Sequence, residues 1–177
     1  MIKKALVSVW DKSGLIELAN FLVEHKVEII STGGTAKYLE DNNIEVTPVS
    51  SITGMEAVMD GRVKTLNPKI FGGILADRGN SDHLEALETM GGQQIDLIIV
   101  NLYPFVQEAV KNNLPMDKAI EFIDIGGPSM LRAAAKNYHS VSVLSDTKDY
   151  QIFMDNFKDN DISLDYRKIL ATRVFQT

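Results

Sequence analysis

Arg62-Val63-Lys64-Thr65, inside the stretch GRVKTLNP at 61–68, sets two full cations either side of one valine and follows them with a hydroxyl. The nearest upstream acid is Asp60 and the next downstream is Asp77, so these cations lack the local carboxylates that usually accompany lysines on a surface helix. Alternate residues of an extended loop share a side, which predicts that Arg62 and Lys64 face one anion together. A second anion site is written in Thr32-Gly33-Gly34-Thr35. Two glycines allow close backbone approach, and a helix beginning there aims free N–H groups and the positive end of its dipole at the ligand. The same stretch also reads as a plain strand-to-helix turn capped by Thr35. Neither GxxxxGK[ST] nor GxGxxG is present, which counts against nucleoside triphosphates and dinucleotides.

Asp124-Ile125-Gly126-Gly127-Pro128 places a carboxylate before a glycine turn and a helix start. Such N–H groups can hold an oxyanion or a ring carbonyl, and the aspartate can equally serve only the dipole. Lys136 lies at the other end of that helix, where spacing makes it a C-terminal dipole partner. Trp10-Asp11-Lys12 and Val100-Asn101-Leu102-Tyr103 complete the set, with Lys12 a third cation and Tyr103 a ring with a polar tip. His25, His83 and His139 fall on different elements, and the chain has no cysteine, so no metal site is expected.

The elements that must carry these residues alternate. Ala5–Val9, Val27–Ser31, Ile44–Val49, Asp96–Val100 and Val141–Leu144 read as strands, with Ile74–Ala76 a possible sixth. Helical spacing follows most of them: Leu15 to Leu22, a helix opened by Gly33, one capped by Ser81 running through Met90, then Phe105–Lys111, Met116–Phe122 and Met130–Lys136. Alternation of this kind predicts an α/β fold, doubly wound, with a mostly parallel sheet and helices on both faces. In such sheets ligands bind beyond the carboxyl ends of the strands, and every segment singled out above occupies that position.

The 177 residues carry a net charge of −6, which argues against broad binding to nucleic acid. Apolar runs are too short to cross a bilayer and no signal peptide opens the chain, so a membrane partner is not expected. The lack of cysteine suits a reducing cytoplasm. Leu164 to Phe175 is still an amphipathic helix where the sequence stops, which predicts a piece truncated from something longer.

Taken in order, SVWDKSG, STGGTAKYL, GRVKTLNP, GGILA, NLYPF, FIDIGG and LRAAAKN resemble the inosine monophosphate (IMP) cyclohydrolase domain family, from Ser8 to Asn137. The resemblance implies a methylglyoxal-synthase-like, Rossmann-like three-layer core over 1–145, with 146–177 as C-terminal helices of the same domain. It implies an enzyme of purine biosynthesis that closes 5-formamido-4-imidazolecarboxamide ribotide (FAICAR) to IMP with loss of water. No metal or cofactor is implied. By motif, Lys64 is similar to a transition-state-stabilising lysine and Lys136 to a lysine that moves protons, with Tyr103 and Asp124 around the reacting groups. Trp10, Asp11, Lys12, Thr32, Gly33, Gly34, Thr35, Arg62, Val63, Thr65, Val100, Asn101, Ile125 and Gly126 match nucleotide-contacting segments. The phosphate is expected at Gly33-Gly34 and the formyl oxyanion at Lys64. A cytoplasmic homodimer, with a formyltransferase domain in the full-length protein, is implied too. The sequence departs from the expected pattern at Asn67, Phe71 and Tyr138, where histidine is expected, and at Trp10, where a small polar residue is common. Methylglyoxal synthase and a non-catalytic nucleotide-sensing module are the competing readings on this fold.

Overall fold

The computed structural model describes residues 1–59, 61–103, 105 and 110–176. Five strands form one all-parallel sheet: β1 (Lys4–Val9), β2 (Glu28–Ser31), β3 (Thr47–Pro48), β4 (Leu97–Asn101) and β5 (Ser142–Leu144). Their spatial order is β3-β2-β1-β4-β5, so the direction of winding reverses between β1 and β4. There the last residues of the two strands, Val9 and Asn101, stand side by side.

Helices α1 (Leu15–Glu24), α2 (Gly33–Asp41), α3 (Val49–Thr53), α4 (Pro68–Leu75), α5 (Ser81–Thr89), α6 (Met116–Ala119), α7 (Gly126–Lys136), α8 (Asp149–Asn156) and α9 (Leu164–Arg173) are described between and after the strands. A 3-10 turn at Ile120–Phe122 follows α6. Leu97, Ile98, Ile99 and Val100 are all buried, because a central parallel strand is covered on both faces. Each such side chain stabilises the fold by roughly 1.5–3 kcal/mol. Helix α7 packs on β4 and β5, α4 and α9 pack on α7, and α1 packs against β2 and α8. Tyr150, Phe153, Tyr166, Leu170 and Val174 join the same apolar cluster as the strands, so 146–176 shares the core of the sheet.

Local sequence rules decide several boundaries. The Ile74–Ala76 segment, expected as a possible strand, is the end of α4. Asn67 accepts a hydrogen bond from the Lys69 amide at 2.9 Å, Pro68 fixes the first turn, and Ile70 and Ile74 share the buried face. The Ile44–Val49 run shrinks to the two-residue β3, because Val49 already starts α3. Asn80 caps α5 in place of Ser81, accepting from Asp82 and His83. Thr32, with extended backbone, precedes α2, and Thr35 lies inside it. Much of the expected helix from Phe105 lies outside the described residues.

Candidate active site

At the switch point the chain is held by one amide. Asn101 Oδ1 accepts from the Trp10 and Asp11 amides at 2.7 and 2.9 Å, and its Nδ2 donates to the Asp11 carbonyl at 2.8 Å. The Asn101 side chain therefore ties the exit of β4 to the exit of β1. Val100 is buried, which leaves only its main chain to face a ligand. Asp11 accepts from the Ser13 amide at 2.9 Å, and the Ser13 hydrogen bonds, with the Lys12 cation adding to them, hold its carboxyl below the usual range. Lys12 Nζ donates to the Trp10 carbonyl at 3.2 Å and stands 5.8 Å from the centre of the Tyr38 ring on α2.

Helix α2 begins at the end of β2 with Gly33 at φ +57°, in the left-handed region. Its first N–H groups have no acceptor within the helix, which makes that end an anion acceptor. Thr35 is not available to a ligand: its hydroxyl donates to the Val9 carbonyl at 3.0 Å and accepts from the Val9 amide at 3.1 Å. It fastens α2 to β1 instead.

The GRVKT loop supplies the cations. It leaves a tight turn closed by the Val58 and Val63 main chains at 3.1 and 3.3 Å, so it is not a simple extended segment. Its two cations consequently part. Arg62 pairs with Glu121 of the 3-10 turn. Lys64 folds back over Gly61 and reaches α2, where its Nζ lies 3.5 Å from the position a Cβ on Gly33 would take. The next residue reaches the other helix start: Thr65 Oγ1 lies 2.9 Å from the Cβ position of Gly126, the first residue of α7. Lys64 thus lines a cleft of about 190 Å³ with Thr32, Gly33, Ser50, Met55 and Glu56.

Asp124 closes the start of α7, accepting from the Gly127 amide at 2.9 Å. Ile125 precedes the helix and is exposed. Tyr103 packs on Trp10 with the rings tilted and their centres 4.7 Å apart, and meets the half-buried Phe122 edge-on at 6.4 Å, forming an aromatic strip on the same rim.

Lys136 is not brought to this group. It is exposed in the last turn of α7, ten residues or about 15 Å beyond Gly126. Its neighbour Asn137 bonds to the Ile74 and Ala76 carbonyls at the end of α4. That is the amino rim of the sheet, where Asp96 accepts from the Lys3 and Lys4 amides. Helix length alone keeps Lys136 from Asp124 within one chain. Of the positions where histidine was expected, Asn67 caps α4, Phe71 packs on the core, and Tyr138 stacks on His139.

Sequence reading missed Glu56, Ser50 and Phe122, which no motif flags: Ser50 and Glu56 join Lys64 in the cleft, and Phe122 meets Tyr103. Among the described residues no three of His, Asp or Glu cluster as metal ligands, and no helix is long and apolar enough to cross a membrane.

An all-parallel sheet in the order β3-β2-β1-β4-β5, with its connecting helices, is a doubly wound α/β domain. The chain belongs to the MGS-like domain family, which matches residues 14–129. The AICARFT/IMPCHase bienzyme family matches residues 134–177. The chain is 53% identical over 176 residues to the bifunctional purine biosynthesis protein PurH of Clostridium botulinum strain Langeland, covering 99% of this chain and 35% of that protein. It is 51% identical over 175 residues to PurH of Brachyspira hyodysenteriae, covering 99% and 34%. The chain therefore spans about a third of the length of these curated relatives, 35% of the first. The crystal structure of ForH superimposes with a TM-score of 0.85 at 31% identity, over 99% of this chain and 93% of that one.

Proposed function

We propose that this chain is an IMP cyclohydrolase, closing the six-membered ring of FAICAR to give IMP and water. The observation that carries the reading is the GRVKT loop: successive side chains, Lys64 and Thr65, reach the starts of α2 and α7. One loop so links the starts of two helices on the rim that also holds Asp11, Lys12 and Tyr103. The identity with PurH proteins supports the same reading.

The reaction asks for little more. A carboxamide nitrogen is a weak nucleophile and must lose a proton as it attacks the formyl carbon. The formyl oxygen gains negative charge, takes up that proton and a second one from the formamido nitrogen, and leaves as water as the ring C=N bond forms. The first N–H groups of α2 and Lys12 hold the ribotide phosphate, and Lys64 meets the developing oxyanion. Asp124, which accepts from the Gly127 amide at the start of α7, and Tyr103, which packs on Trp10, serve proton transfer and ring placement. Trp10, Ile125 and Gly126 border the base. Lys136 has no place among the reacting groups in this arrangement. A cytoplasmic location, a homodimer and fusion to a formyltransferase in the full-length protein belong to the same proposal, on the strength of the bifunctional relatives.

The test is direct. The purified chain, with a chelator present, is mixed with FAICAR, and purine formation is followed by ultraviolet absorbance. Turnover well above the uncatalysed rate supports the proposal. Binding of IMP without turnover gives the nucleotide-sensing module instead. Release of phosphate from a triose phosphate gives methylglyoxal synthase.

A further inference from the structure

Trp10, the chain's single tryptophan, is 42% exposed at the exit of β1. A large ring left that open contributes little to the core. Its main chain is nevertheless fixed from both ends. The amide donates to Asn101 Oδ1 at 2.7 Å, and the carbonyl accepts from Lys12 Nζ at 3.2 Å. The indole therefore stands on a rigid base at the switch point between β1 and β4.

Against it lies Tyr103, with ring centres 4.7 Å apart and planes inclined by 44°. Tyr103 sits two residues beyond β4, outside any strand or helix, and is itself 45% exposed. Phe122, from the 3-10 turn before α7, meets it edge-on. Two rings from separate segments thus confine a tyrosine that the sheet no longer holds. A side chain on irregular backbone samples several rotamers unless neighbours exclude them, and tilted or edge-on ring pairs at this spacing attract beyond the area they bury. With both Trp10 and Tyr103 open to solvent, core packing does not account for the pair.

We propose that Trp10 is a positioning residue for Tyr103: its indole, carried on the turn that Asn101 fixes, holds the tyrosine ring in the orientation that serves the reacting groups. The proposal rests on the reading of this rim as the cyclohydrolase site. It gives the indole a task that the small polar residue expected at position 10 could not perform.

The experiment compares wild type with Trp10→Ser and Trp10→Phe in steady-state cyclisation of FAICAR. Trp10→Ser should lower kcat about two- to tenfold, the worth of one aromatic pair, with KM within about twofold. Trp10→Phe, which keeps a ring against Tyr103, should recover most of the loss. In a Tyr103→Leu background, Trp10→Ser should change kcat by less than about twofold, because the contact it removes is already gone. A full effect in that background overturns the proposal. So does a rise in KM at constant kcat, which would make the indole a direct ligand contact, and so do wild-type kinetics for Trp10→Ser. Should Trp10→Ser fold poorly, Trp10→Leu, which keeps apolar bulk without a ring, is read in the same way. If wild type does not turn over FAICAR, the cyclohydrolase reading fails by itself, and tryptophan emission decides the ring contact. Tyr103→Leu should then shift that emission to the red and open it to acrylamide quenching, and an unmoved spectrum overturns the proposal.

Discussion

Thr65 and Gly126, sixty-one positions apart in sequence, meet so closely that a methyl group on the glycine would sit 2.9 Å from the threonine hydroxyl. The contact joins the cation-bearing loop to the start of α7. Gly126→Ala should gain helix propensity and lose this fit, leaving the melting temperature within about 2–4 °C of wild type. Its kcat/KM should fall about tenfold or more, since misplaced groups lose rate steeply. Combining it with Thr65→Ala should give a non-additive result in a double-mutant cycle, because the two residues share one contact.

At the other helix start, Gly33 holds φ +57° beneath the Lys64 ammonium. Gly33→Ala places a side chain in the left-handed region, at about 1–2 kcal/mol. Thermal unfolding should show a drop of about 2–4 °C for each kcal/mol lost, and IMP affinity should weaken as the α2 N–H groups shift. Unchanged stability and affinity together would contradict the geometry.

Asp124 has a structural task and a proposed chemical one, and substitution separates them. Asp124→Asn keeps an acceptor for the Gly127 amide and should cost little stability, whereas Asp124→Ala should cost about 1 kcal/mol. Both should lower kcat by about 10²-fold or more if the carboxylate moves a proton. An Asn variant with full activity would leave Asp124 as a cap only.

Far from the rim of the site, Glu28 joins three strands: it pairs with Lys4 of β1 and accepts from Thr47 of β3 at 2.8 Å. The Lys4 hydrogen bond, aided by Thr47 and opposed by burial, holds its carboxyl below the ordinary 4.5. Its folded form thus binds its proton less readily than the unfolded chain does. The stabilisation is present above 4.5 and is lost as pH falls through the lower folded value. Glu28→Gln should be less stable than wild type at pH 7, and the two melting temperatures should converge in acid. A constant gap from pH 7 to pH 3 would contradict this.

The fold was legible because its signals are local. LIIV at 97–100 has no polar position, which only a doubly covered strand tolerates, and Gly33 and Gly126 mark helix starts wherever they occur. Convergence on one rim followed from strand polarity, a property of the topology. What stayed hidden depends on side-chain direction. Arg62 and Lys64 alternate in sequence, yet the turn closed by Val58 and Val63 sends one to Glu121 and the other to Gly33. Asn101 and Thr35 read as ligand contacts by motif, and their polar atoms are instead committed to Trp10, Asp11 and Val9. Lys136 shares a helix with Gly126, and the length of that helix separates them.

The role of Lys64 is the central claim, and one substitution reaches it. Lys64→Ala should be examined by steady-state cyclisation of FAICAR alongside the dissociation constant of IMP. A lysine that meets the developing oxyanion gives a kcat lower by about 10²-fold or more, with IMP affinity changed far less. A kcat equal to wild type, with the whole effect in IMP affinity, would make Lys64 a phosphate ligand of the α2 cleft and contradict the account.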